Sequence, residues 1–73
     1  MMKDYIYLGA KVFLGKAAFI VISEIDNNGY FYLEHEEYII TKRLNITEIT
    51  LNGYSFTGTP ILKYRKMDYD LGI

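Results

Sequence analysis

The chain of 73 residues contains no cysteine, no tryptophan, one proline and one histidine. Without cysteine there is no disulfide staple, no thiolate metal ligand and no thiol nucleophile. A domain this small buries only roughly 60–65% of its unfolded surface, so its stability must come from apolar packing or from a partner chain. With a single histidine, a zinc site of several imidazoles is excluded. The longest uninterrupted apolar run, residues 17–22, is far too short to span a bilayer as a helix.

Charge of one sign is also lacking overall. The formal net charge is −1, which gives no general drive toward nucleic acid or an acidic membrane. Its distribution is uneven. Residues 1–23 carry +2, residues 24–37 carry five acids and no base, and residues 38–73 carry +2. An acidic segment lies between mildly basic flanks.

Hydrophobic residues make up 51% of the chain, with eight tyrosines and four phenylalanines. So small an interior cannot hold them all. The surplus on the surface suggests a binding face or self-association, and tyrosine suits such a half-exposed place.

Turn signals organise the chain. Asp26-Asn27-Asn28-Gly29 matches a type I turn with a glycine bulge, pairing Asp26 with Tyr30, Ile25 with Phe31 and Ser23 with Leu33. Phe19, Val21, Ile25, Phe31 and Leu33 then share a core face. Ile22, Glu24, Tyr30, Tyr32 and Glu34 share the outer one. Asn52-Gly53 predicts a second, two-residue hairpin pairing Leu51 with Tyr54 and Ile49 with Phe56. Residues 5–8 and 11–14 read as strands, with Gly15-Lys16 as a turn. Residues 17–25 read as a central strand, because the β-branched run Ile20-Val21-Ile22 disfavours the competing helix. Residues 36–44 are ambiguous between strand and short helix, with a strand over 38–41 favoured. Gly58-Thr59-Pro60 is a turn. Residues 61–65 form a last strand, placed at an edge by the preceding proline, and residues 67–73 an acidic tail.

These elements predict one all-β domain over residues 1–73. It is a small antiparallel barrel or roll of five to seven short strands, of SH3-like or OB-like size.

Chemistry is sparse. His35 lies in Glu34-His35-Glu36-Glu37, where strand alternation points Glu34 and Glu36 away from it, so no metal is expected and the residue reads as solvated. Phosphate-binding loops, nucleophile elbows and dinucleotide fingerprints are missing. Ser23 and Ser55 have no evident base. No catalytic residue and no cofactor is expected, and Asn45-Ile46-Thr47 reads as a chance match to a glycosylation site.

The expected function is non-enzymatic protein binding. An acidic, tyrosine-rich face of Glu24, Tyr30, Tyr32 and Glu34, with Glu36 and Glu37 nearby, would meet a basic partner. One rival is a barrel binding single-stranded nucleic acid through Lys63, Tyr64, Arg65 and Lys66. Another is a homo-oligomer joined through an edge strand at residues 5–8 or 61–65. No secretory signal is read at the start, so a cytosolic protein is expected. Lysine outnumbers arginine six to two, and isoleucine, tyrosine and asparagine are frequent. That bias of an A/T-rich coding sequence fits a low-GC bacterium, or a phage or mobile element living in one, and the acidic hairpin suggests an accessory or inhibitor protein of such an element that presents a phosphate-like surface to a basic host protein.

Overall fold

The computed structural model describes residues 1–65. The expected acidic tail, 67–73, and Lys66 lie outside them. Within the described residues the chain is all-β. A 3₁₀ turn (Met2–Asp4) is followed by β1 (Lys11–Leu14), β2 (Ala17–Val21), β3 (Tyr30–His35) and β4 (Thr41–Asn45). A second 3₁₀ turn (Ile46–Glu48) leads to β5 (Ile49–Tyr54) and β6 (Pro60–Tyr64). The six strands form one sheet in the order β4-β3-β2-β1-β6-β5. Its two edges, β4 and β5, are joined by the three-residue turn Ile46–Glu48, so the sheet curls into a half-barrel.

Alternation along the strands places the core. Val12, Phe19, Val21, Phe31, Leu33, Leu44, Ile49 and Leu62 are buried on the inner face, with Ile6 and Ala10 from the N-terminal segment. Each fully buried aliphatic or aromatic side chain contributes about 1.5–3 kcal/mol relative to exposure. Ile25, Leu51 and Tyr64 pack against this cluster from its rim.

The first predicted turn forms as read. Asp26 N–H donates to Tyr30 O (2.9 Å), Gly29 N–H donates to Asp26 O (3.0 Å), and Gly29 takes a positive φ of 90°. The register beyond it differs from expectation. β2 ends at Val21, which pairs with Leu33, so Ser23 does not face Leu33. Two additional residues are accommodated between Ile22 and Asp26, where the Ser23 hydroxyl accepts from Tyr32 N–H (2.8 Å) in place of a backbone carbonyl. A slip of two residues preserves facing, because side chains alternate with period two. The core set therefore survives, and Tyr30, Tyr32 and Glu34 keep the outer face, but Glu24 falls on the irregular segment after β2 and leaves it.

The second hairpin is corrected. Asn52-Gly53 lies inside β5, at a break in register between Leu51↔Leu62 and Tyr54↔Pro60. Gly53 does take a positive φ, 84°, but in a bulge. Leu51 faces Leu62 and Ile49 faces Tyr64. The true turn spans Ser55 to Thr59 and repeats the first one: Ser55 N–H donates to Thr59 O (2.7 Å), Gly58 N–H donates to Ser55 O (2.9 Å), and Gly58 has φ 90°. A turn at 52–53 would have folded residues 54–57 back on β5. The later turn instead delivers Leu62 into the core beside Val12.

Three further expectations are overturned. Residues 5–8 form no strand, because Gly9 and Ala10 already pair with Val21 and the chain before them crosses the rim. Residues 36–40 are a loop, not a strand. Residues 60–64 form an interior strand: β6 runs parallel to β1 and antiparallel to β5. Pro60 is tolerated because it is the first residue of its strand.

Candidate functional site

The outer face of β3 carries Tyr30, Tyr32 and Glu34. Residues directly opposite in an antiparallel pair share a face. Tyr32 thus stands beside Arg43, Glu34 beside Thr41 and Ile20, and Ile20 beside Lys11. The Arg43 guanidinium lies 3.9 Å from the centre of the Tyr30 ring. Lys11 Nζ reaches Glu36 Oε2 at 3.5 Å. The expected acidic stripe is therefore a mixed-charge surface. Its cations arrive from β1 and β4, and the linear run of five acids could not show them.

The six expected residues are not all brought together. Glu24 sits on the irregular segment 22–26 and lines a shallow groove with Lys3, Asp4, Ile6, Tyr7 and Leu8. Tyr30, Tyr32 and Glu34 share the β3 face. Glu36 and Glu37 lie in the β3–β4 loop.

That loop is fixed at several points. His35 N–H donates to Ile40 O (2.9 Å), and Glu36 N–H donates to Ala18 O (2.9 Å). His35 Nδ1 accepts from the backbone N–H of both Glu37 (2.9 Å) and Tyr38 (3.2 Å). The imidazole meets Phe19 edge-on, with 5.1 Å between ring centroids, and Tyr38 at 4.9 Å. His35 is thus half-buried and holds the loop, contrary to the solvated reading. Reading residues 36–44 as a strand hid this role, since the two hydrogen bonds form only when the chain turns after His35, and the Phe19 contact comes through the β2–β3 pairing.

The fixed loop carries apolar side chains into solvent. Tyr38, Ile39 and Ile40 are exposed, Ile39 to 94%, next to Glu36 and Glu37. Phe56, at the tip of the β5–β6 turn, is also fully exposed. Ile22 and Tyr32 add apolar area on the sheet face. The sequence reading favoured a strand over 38–41 and did not single out Tyr38, Ile39 and Ile40 as a binding surface.

The described residues of the nucleic-acid alternative do not share one face. Lys63 points outward from β6, and Tyr64 packs against the core. Arg65 donates from its guanidinium to Thr47 O (3.1 Å) and from its backbone N–H to Glu48 O (2.7 Å). Among the described residues, no group of three or more His, Asp or Glu side chains could hold a metal ion, and no helix is long and apolar enough to cross a membrane. Ser23 and Ser55 are engaged in turn and ladder hydrogen bonds.

The carboxyl of Asp26 is held below its ordinary range, first by the hydrogen bond from Tyr30 N–H. Asn28 and Gly29 N–H groups and the Arg43 charge act in the same sense, against a smaller opposing effect of desolvation. The Tyr5 phenol is raised, chiefly by its hydrogen bond with the Tyr54 hydroxyl at 3.3 Å. Asp26 lines an open groove with Lys3, Ile25, Asn45 and Ile46.

No family model, curated protein or solved structure matches this chain.

Proposed function

We propose that this chain is a non-enzymatic protein-binding module whose β3–β4 hairpin is the recognition element. Tyr38, Ile39 and Ile40 are the apolar anchors. Tyr32 on the strand extends the contact, and Glu36 and Glu37 form the charged rim. The partner surface that fits is an apolar pocket edged with lysine or arginine.

The observation that carries this reading is Ile39, 94% exposed on a loop whose backbone is fixed by His35. An exposed isoleucine gains little from folding, and burying it against a partner is worth about 1.5–3 kcal/mol. A loop already held in one conformation loses less entropy on binding. Aromatic and aliphatic anchors inside a polar rim are the usual anatomy of an interface.

The stripe of Glu24, Tyr30, Tyr32 and Glu34 is a weaker candidate. Arg43 and Lys11 offset its charge, and Glu24 lies apart from it. A role as an inhibitor of a basic protein from a phage or mobile element rests on composition and on the acidic run alone. A cytoplasmic location is part of the same reading.

Photo-crosslinking tests the site. A photoreactive residue at position 39 should capture one dominant partner in source-cell lysate, and the same residue at position 57 should not. Equal capture from both positions would count against the β3–β4 loop.

A further inference from the structure

Two Asn-Gly-Tyr triplets occur in the chain, Asn28-Gly29-Tyr30 and Asn52-Gly53-Tyr54. Their local sequences are alike and their surroundings are not. We infer that Asn52 is a site of spontaneous covalent modification, deamidation through a succinimide, and that Asn28 is protected from it by the fold.

In this reaction the Gly53 backbone nitrogen bonds to Cγ of Asn52. Its amide proton is transferred through water to the departing side-chain nitrogen, which leaves as ammonia. Water then opens the five-membered imide at either carbonyl, giving aspartate or isoaspartate. The net change is one water consumed and one ammonia released, with no oxidation or reduction.

The step requires backbone freedom, room for the ring and an activated carbonyl. At Asn52 the two residues fall in the break of the β5–β6 register, on an edge strand of the described sheet. Both are exposed, and beyond the adjoining residues no atom lies within 4 Å of where a Gly53 side chain would begin. The Thr50 hydroxyl donates to Asn52 Oδ1 at 3.3 Å, placing a donor on the oxygen where negative charge develops.

At Asn28 the opposite holds. Gly29 N–H, the would-be nucleophile, donates to Asp26 O (3.0 Å). Asn28 N–H donates to Asp26 Oδ1 (2.8 Å), and Asn28 O accepts from Asn45 Nδ2 (2.9 Å). Gly29 O accepts from Ile46 N–H (2.9 Å). The side chains of Asn45 and Ile46 stand 3.2–3.3 Å from the position of a Gly29 Cβ. The main chain cannot swing its nitrogen onto the side-chain carbon without breaking these bonds.

The product stays folded. An aspartate at position 52 still accepts from Thr50, and the additional backbone atom of isoaspartate falls within an existing bulge. The β5 edge gains one negative charge.

The test compares deamidation at the two asparagines by peptide mapping and mass spectrometry, in native protein and in strong urea, at mildly alkaline pH. In native protein Asn52 should react at least about tenfold faster than Asn28, equivalent to about 1.4 kcal/mol of barrier. In urea the two rates should converge. Comparable native rates, a faster Asn28, or a preference for Asn52 that persists unchanged in urea would overturn the inference.

Discussion

The guanidinium of Arg43 stands 3.9 Å from the centre of the Tyr30 ring, and the same strand pairing sets Arg43 opposite Tyr32. One β4 residue therefore covers the Tyr30 ring from a position opposite Tyr32 and brings a positive charge to a segment whose own charges are all negative. The pairing of β3 with β4 decides the electrostatic character of this surface.

Arg43→Ala should lower stability by about 0.5–1 kcal/mol, the usual value of an exposed cation–π contact. Arg43→Lys should retain part of it. Urea denaturation of both variants checks the order. Equal stability of all three proteins would remove the contact from the account.

Gly53 and Gly29 both have positive φ, but only Gly29 is crowded. Gly53→Ala should cost about 1–2 kcal/mol, the backbone term alone. Gly29→Ala adds the displacement of Asn45 and Ile46 and should cost more. Reversal of this order in chemical denaturation would contradict the assignment of Gly53 to a bulge in open space.

Asp26 and Ser55 open equivalent turns. The Asp26 carboxylate accepts from Asn28 and Tyr30 N–H, and the Ser55 hydroxyl accepts from Thr57 and Thr59 N–H. Only the first titrates. The folded Asp26 carboxyl lies below its ordinary range, so its contribution is complete above the unfolded value of about 4 and is lost as pH falls through the folded value. Amide resonances of Asn28 and Tyr30 should shift on acidification while those of Thr57 and Thr59 hold. Asp26→Asn should abolish the acid response and keep the turn, since its amide oxygen also accepts.

The legible parts of this fold are those that local chemistry encodes. Gly15-Lys16 joins Leu14 to Ala17 as expected, with glycine first at φ 66°, as a type II′ turn requires. The Asp26–Gly29 turn is specified by its own side chains. Alternation along 30–34 identified Phe31 and Leu33 as core and Tyr30, Tyr32 and Glu34 as outer face. Asn52-Gly53 misled because positive φ serves a bulge as well as a hairpin. What decides between them is the insertion of β6 between β1 and β5, a contact across some fifty residues. Of the site, Tyr32, Glu36 and Glu37 were legible, but Tyr38, Ile39 and Ile40 were read as strand, and the ring contact that seats His35 comes from Phe19 on a neighbouring strand.

His35→Ala should release the β3–β4 loop without unfolding the sheet. Two hydrogen bonds worth about 0.5–1.5 kcal/mol each are lost, together with the ring contact to Phe19. Hydrogen exchange at the Glu37 and Tyr38 amides should accelerate strongly, while exchange at the Leu33 amide should change far less. Unchanged protection at Glu37 and Tyr38 would show that something other than His35 holds the loop.

The proposed function rests on Ile39 as the anchor for a protein partner. The most direct measurement is the affinity of the partner captured at position 39 for wild-type protein and for Ile39→Asp, with circular dichroism showing equal folding. Ile39→Asp should lose at least about tenfold in affinity, equivalent to about 1.4 kcal/mol, expressed mainly as faster dissociation. Undiminished affinity of Ile39→Asp would contradict it.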